Sequence, residues 1–243
     1  MSNEESLKLL AKDEMPERYL RNQGTVGIQG QTRLLQARVA VVGAGGLGGT
    51  VIELLARMGI GYLKIIDGDT FARHNFNRQI LSNEQNLGVN KASVAAERIA
   101  AINSDVQVEA VHAMLDEKNA EDLLGGLDVI VDALDNFHSR LLLASVANQL
   151  GIPLVYAAIA GFTGQVMTIM PGDRSLGNLY KVVPETNRGV EVVLGNPSAT
   201  PALAASLQVQ EVVKIITGIG EPLRNKMLYF DTELNIFDIL NMK

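Results

Sequence analysis

The chain has 243 residues, 47% hydrophobic and 20% charged, with no cysteine and a formal charge of -6. That length holds one large domain or two small ones around an ample core, and the acidic balance argues against broad electrostatic binding of nucleic acid or anionic lipid. The lack of cysteine removes disulfides, thiolate zinc sites, iron–sulfur clusters and thiol nucleophiles.

Ser2 and Glu5 have capping-box spacing, and Leu7, Leu10 and Ala11 share one stripe, so a short helix is expected before Pro16. The acidic N-terminus lacks the basic-then-apolar order of a targeting peptide, which makes a cytoplasmic location the expectation. Residues 1–30 read as a helical arm and 31–243 as one domain. Arg38 to Val42 is an apolar run without helical period, a buried strand that enters the turn at Gly43. Leu47, Val51, Leu54, Leu55 and Met58 then repeat at helical spacing and stop at Gly59. Tyr62 to Asp67 is a second strand, Lys91 to Ile102 a second helix, and Val106, Val108 and Ala110 alternate as a third strand.

Leu127 to Asp132 forms a fourth strand, His138 to Leu150 a helix and Leu154 to Ala160 a fifth strand. This alternation predicts a Rossmann-like, doubly wound α/β fold with a mostly parallel sheet. Gly161 to Thr163 is too short for a crossover helix, so Gly164 to Met170 is expected to run antiparallel. Pro171 to Ser198 reads as a long loop, functional or mobile. Thr200 and Pro201 start a helix that ends at Gly218, and Lys226 to Asp231 and Asn235 to Leu240 close the chain as antiparallel strands. Leu141 to Gly172 carries no charge, but polar residues, Pro153 and glycines interrupt it, so no membrane span is expected.

Gly43, Gly45 and Gly48 make a GxGxxG between the first strand and its helix, where backbone N–H groups can hold phosphate oxygens. Gly46 and Gly49 add room for close approach. Asp67 ends the second strand about 20 residues later, the place of a carboxylate that bonds ribose hydroxyls. Alone, these residues most often mean NAD or FAD, and the glycines could serve helix–strand packing only.

Two further clusters favour ATP. Asn75, Phe76, Asn77, Arg78 and Gln79, with Lys91, bring positive charge, and Asp132 to Asn136 bring carboxylates to the edge where ligands bind in such folds. Asp135 there could hold Mg²⁺ on a triphosphate, while Arg78 and Lys91 offset charge that spreads over the phosphate oxygens. A plainer reading has Asp135 or Asn136 capping the next helix and Arg78 as a solvated charge. Lys91 sits at the wrong helix end for the macrodipole, which favours a functional role. His74, His112 and His138 have no metal-ligand spacing.

Arg18 to Arg21 (RYLR), Gly43 to Gly49 (GAGGLGG), Asp67 to Asp69 (DGD), Asn75 to Gln79 (NFNRQ), Lys91, Asp132 to Asn136 (DALDN) and LQVQEVVKIITGIGEPL together resemble the ThiF/MoeB/HesA family, bacterial relatives of ubiquitin-activating E1 enzymes. The resemblance implies an E1-like adenylation domain with a crossover loop at 171–198, acting as a homodimer with MgATP on the Gly-Gly end of a ubiquitin-like sulfur carrier. It further implies that Gly46 contacts the nucleotide, Asp67 the ribose, Asn75, Arg78 and Lys91 the phosphates, and Asp135 the metal, with Asn136 beside them. Arg21 would reach the ATP site of the opposite subunit, although Asn22 stands where the family often has Gln.

Two departures shape the expected chemistry. The CxxC pairs that hold zinc in many relatives are missing, so no zinc is expected. The crossover loop also lacks the cysteine that some relatives use, and Ser175 and Thr186 are poor substitutes as nucleophiles. The expected reaction therefore stops at the acyl-adenylate, with an external sulfur donor. Two alternatives are a relative that activates a carboxylate or carbamoyl group on tRNA and a noncatalytic partner subunit.

Overall fold

The computed structural model describes residues 2–173, 176–180 and 187–242. Helix α1 (Asn3–Leu10) opens with the expected capping box: Ser2 Oγ accepts from the Glu5 N–H at 3.2 Å, and the Glu5 carboxylate accepts from the Ser2 N–H at 2.6 Å. A 3-10 turn over Glu17–Asn22 leads into α2 (Gln23–Gln36), which the sequence pattern does not reveal. Gly24, Gly27 and Gly30 lower helical propensity, and Gly27 breaks the helix with φ of 64°. Gly30 is needed for packing, since a Cβ there would lie 2.9 Å from Val26 Cβ, with Thr217 Cγ2 of a later helix at 3.4 Å. The boundary drawn at residue 30 falls inside α2.

The remaining elements follow in alternation: β1 (Arg38–Val42), α3 (Gly46–Met58), β2 (Tyr62–Ile66), α4 (Lys91–Ile102), β3 (Gln107–Val111), α5 (Ala120–Leu124), β4 (Val129–Asp132), α6 (Phe137–Leu150) and β5 (Leu154–Ala160). Next come β6 (Thr163–Ile169), two short helices α7 (Leu176–Leu179) and α8 (Glu191–Leu194), α9 (Ala199–Thr217), β7 (Lys226–Asp231) and β8 (Ile236–Asn241). The sheet order is β3-β2-β1-β4-β5-β6-β7-β8, parallel through β5 and antiparallel from β6 onward. This is the doubly wound α/β fold with antiparallel C-terminal strands.

Alternate residues of the central strands enter opposite cores. Val39 and Val41 pack with Val51, Leu55 and Val209 under α3 and α9, while Ala40 and Val42 pack with Leu143 and Ala147 under α6. The α9 start differs from the expected cap at Thr200. The helix begins at Ala199, Pro201 is its third residue, and Thr200 donates instead to the Gly161 carbonyl at 2.8 Å. Pro201 fits because N–H groups in the first turn have no helical partner to lose. The expected long loop contains α7 and α8; Ser175 and Thr186 lie outside the described residues. No described helix is long and apolar enough to cross a membrane.

Candidate active site

Strand order reverses between β1 and β4, which leave the sheet side by side, and their carboxyl ends open onto a cavity of about 220 Å³. The glycine turn forms its floor. Gly43 takes φ of 97°, and a Cβ on it would lie 2.5 Å from the Ala133 carbonyl, so the turn and the DALDN segment meet backbone to backbone. Gly48 does not line the cavity. A Cβ on it would lie 1.8 Å from the Gly43 carbonyl, so this glycine lets α3 pack on its own turn.

Gly45 and Gly46 do line the cavity, and the N-terminus of α3 carries no side-chain cap. Its first N–H groups are therefore suited to phosphate oxygens. Asp67 braces this turn: one carboxylate oxygen accepts from the Ala44 N–H at 2.7 Å and the other from the Asp69 N–H at 2.8 Å. Burial pushes its carboxyl upward, against those two donors and the nearby Lys91 ammonium.

Lys91 is the first residue of α4, and its buried side chain reaches Asp69 at 3.2 Å on the cavity wall. Arg78 lines the opposite side, with Nη1 donating to the His74 carbonyl and to Asn77 Oδ1. Asn75 is buried outside the lining. Its Oδ1 accepts from the Ala72 N–H and its carbonyl from the N–H groups of Arg78 and Gln79, so it shapes the turn that carries them.

Asp135 stands on the lip with its side chain 68% exposed, 3.3 Å from Arg188. Asn136, also on the lining, caps α6 by accepting from the Ser139 N–H at 2.9 Å, so the capping reading holds for this residue. The segment around residue 187 lies over that helix start. The N–H groups of Phe137 and His138 donate to the carbonyl and Oδ1 of Asn187. Arg21 is exposed in the 3-10 turn and does not line the cavity of its own subunit.

Several lining residues escape a reading of the sequence. Gln79 is buried with an unpartnered Oε1, Arg140 is buried beneath Leu134, and Arg188 comes from the long loop. Gln79 was visible only as part of a cluster, Arg140 looks like an ordinary helix cation, and nothing in the periodicity marks Arg188. Ile66, Met114 and Leu115 add an apolar wall suited to a flat ring. A helix N-terminus, a braced acid, the cations Arg78, Lys91, Arg140 and Arg188 and the exposed carboxylates of Asp69 and Asp135 together suit a nucleotide polyphosphate.

The model of the ThiF family matches residues 19–243. The chain belongs to the ThiF family. It is 38% identical over 218 residues to the SAMP-activating enzyme E1 of Haloferax volcanii, covering 88% of this chain and 81% of that protein. It is also 38% identical over 221 residues to the sulfur carrier protein adenylyltransferase of Thermus thermophilus, covering 85% and 79%. Among solved structures, PaaA superposes with a TM-score of 0.79 at 26% identity, over 93% of this chain and 73% of that one. The E. coli MccB structure with ATP gives 0.81 at 23% identity, over 93% and 72%, which supports the fold. This ThiF-family protein is an E1-like adenylyltransferase.

Proposed function

We propose that this ThiF-family enzyme adenylylates the C-terminal carboxylate of a ubiquitin-like sulfur-carrier protein with a Gly-Gly end, working as a homodimer with MgATP. The observation that carries the reading is that Gly46, Asp67, Arg78, Lys91 and Asp135 share the lining of one cavity at the carboxyl edge of the sheet. A carrier carboxylate oxygen attacks the α-phosphorus, the bond to the bridging oxygen breaks, and pyrophosphate leaves with that electron pair. Carboxylate and triphosphate repel each other, so alignment and charge neutralisation supply the rate.

In this reading Asp67 takes the ribose, since each of its oxygens accepts one N–H and retains a second lone-pair direction. The α3 N–H groups, Arg78 and Lys91 take the phosphates, and Asn75 acts by holding the Arg78 turn. Lys91 would exchange Asp69 for a phosphate oxygen. The donor set suits Mg²⁺: among the described residues no group of three or more His, Cys, Asp or Glu side chains could hold a metal, and Asp135 offers one exposed carboxylate. A hard cation that completes its shell with phosphate and water needs no more. Mg²⁺ would supply charge neutralisation on the phosphates.

The chain has no cysteine to form a thioester, so the product is the acyl-adenylate and sulfur comes from an external donor. The net charge of -6 favours a protein carboxylate over tRNA. Isotope exchange between pyrophosphate and ATP tests the reading. Exchange should depend on an added carrier with a Gly-Gly end, and Arg78→Ala should lower it about 10²- to 10³-fold. Carrier-independent exchange, or ATP hydrolysis stimulated by tRNA alone, would overturn the substrate assignment. A protein that binds no ATP would point to a noncatalytic partner.

A further inference from the structure

At the cavity wall lies an ion pair that no step above uses, with Arg140 on the lining. Arg140 is 7% exposed and Asp132 is 0% exposed, with Nη1 and Oδ2 4.0 Å apart. This is a poor arrangement for stability. Oδ2 of Asp132 has no hydrogen-bond partner, and a buried pair recovers its desolvation cost only with close contact and full hydrogen bonding. Burial pushes the Asp132 carboxyl up, against the opposing pull of Arg140.

The other contacts of the pair give it a different use. Asp132 Oδ1 accepts from the Leu134 N–H at 2.9 Å, and Arg140 Nη2 donates to the Leu134 carbonyl. Both polar groups of one backbone residue are thus gripped from the two sides of a single ion pair, and that residue immediately precedes Asp135. The pair is itself anchored. Arg140 Nη1 donates to the Ala157 carbonyl on β5 at 2.9 Å, its guanidinium stands 5.2 Å from the Tyr156 ring, and Gln208 of α9 donates to the Asp132 carbonyl at 2.8 Å. A loop that carries an exposed carboxylate is therefore referenced to β4, β5, α6 and α9.

We infer that Arg140, acting with Asp132, is a positioning residue that clamps the Leu134 peptide so that the Asp135 carboxylate meets the metal on the triphosphate. The inference rests on the proposed role of Asp135 and concerns no particular acyl acceptor. A lysine keeps the charge of Arg140 but lacks the planar fork that reaches the Leu134 and Ala157 carbonyls together. Without the clamp Asp135 samples directions away from the metal.

The test is a calorimetric titration of the full chain with AMPCPP, with and without Mg²⁺, which needs no carrier. Wild type should bind the analogue more tightly with Mg²⁺. Arg140→Lys should lose about tenfold of that gain, the scale for residues that orient a metal ligand, read as the ratio of affinities with and without Mg²⁺ so that any direct effect of this lining residue on the nucleotide cancels. A role in folding alone would lower the melting temperature and leave the gain per folded molecule unchanged. Asp132→Asn keeps the shape and the Oδ1 acceptor but removes the charge. It should lose part of the same gain, and it decides the matter if Arg140→Lys does not fold. A gain within about twofold of wild type in the folded variants overturns the inference, as does a wild type with no Mg²⁺-dependent gain. Failure of carrier-dependent exchange with the gain intact would instead overturn the carrier assignment and leave the clamp standing.

Discussion

The glycines of the first turn do two jobs, and single substitutions separate them. A methyl group at residue 46 would sit 3.4 Å from Pro201 Cβ and 3.5 Å from Arg78 Cγ, ordinary contacts within the cavity lining. Alanine is also the better helix former. Gly46→Ala should therefore melt at or above the wild-type temperature while weakening ATP binding about tenfold or more, by crowding the backbone that phosphate approaches. Gly48→Ala meets the backbone of Gly43 and should lower the melting temperature by about 5–10 °C. Equal effects of the two substitutions on melting, measured by circular dichroism beside nucleotide titration, would refute the division. The GxGxxG spacing in the sequence does not carry this distinction. Gly43 and Gly48 serve the meeting of two backbone segments, one contributed by Ala133, and such close approaches are invisible until the chain is folded. Asp67, Arg78, Lys91 and Asp135 were legible because charged residues in a fixed order after predicted strands narrow the chemistry sharply. Arg140 was not, since its partners lie in the DALDN segment and on β5.

At the scale of elements, α3 and α4 must be held together, because one carries the phosphate turn and the other begins at Lys91. Glu53 of α3 makes the tie. It accepts from Arg98 Nε and Nη2 of α4, both at 3.0 Å, and from Arg57 on its own helix at 2.7 Å and 3.1 Å. The Arg98 hydrogen bonds hold its carboxyl below the usual glutamate range, with Arg57 adding to them and burial opposing. A depressed pKa in the folded state contributes stability that is complete above the unfolded value of about 4.3 and lost as pH falls through the folded value. Glu53→Gln should cost about 1 kcal/mol at neutral pH, a figure kept small because both arginines are about half exposed. Urea unfolding at neutral pH and near pH 3 checks the sign: the gap from wild type should close in acid, and a constant gap would assign the loss to packing. The elements themselves were mostly readable from apolar period. Helix α2 was not, because three glycines hide it: Gly27 makes its bend and Gly30 leaves room beside Val26, while Gly24 stands in open space.

For the whole molecule, the open issue is how many chains build one site. Arg21 is exposed on a turn fixed from behind by Tyr19, which is 1% exposed and whose hydroxyl accepts from Asn103 Nδ2 at 2.9 Å. It does not line the cavity of its own chain, so a role in catalysis requires a second copy. A twofold dimer would exchange the arginines symmetrically, each chain completing the other's site. Mixing Arg21→Ala chains with Asp135→Ala chains discriminates the arrangements. In a hybrid dimer with sharing, the Arg21→Ala chain keeps its own Asp135 and receives Arg21 from its partner, so one of two sites is intact. Random exchange makes about half of the dimers hybrid, and carrier-dependent exchange activity should recover to about a quarter of wild type. If Arg21 served its own chain, both sites of every hybrid would lack one group, and the mixture would stay as inactive as its components. Hybrid formation is verified by tagging the two chains differently and isolating dimers that carry both tags. Activity should reside in that fraction alone, and a doubly tagged fraction without activity would remove Arg21 from the shared site.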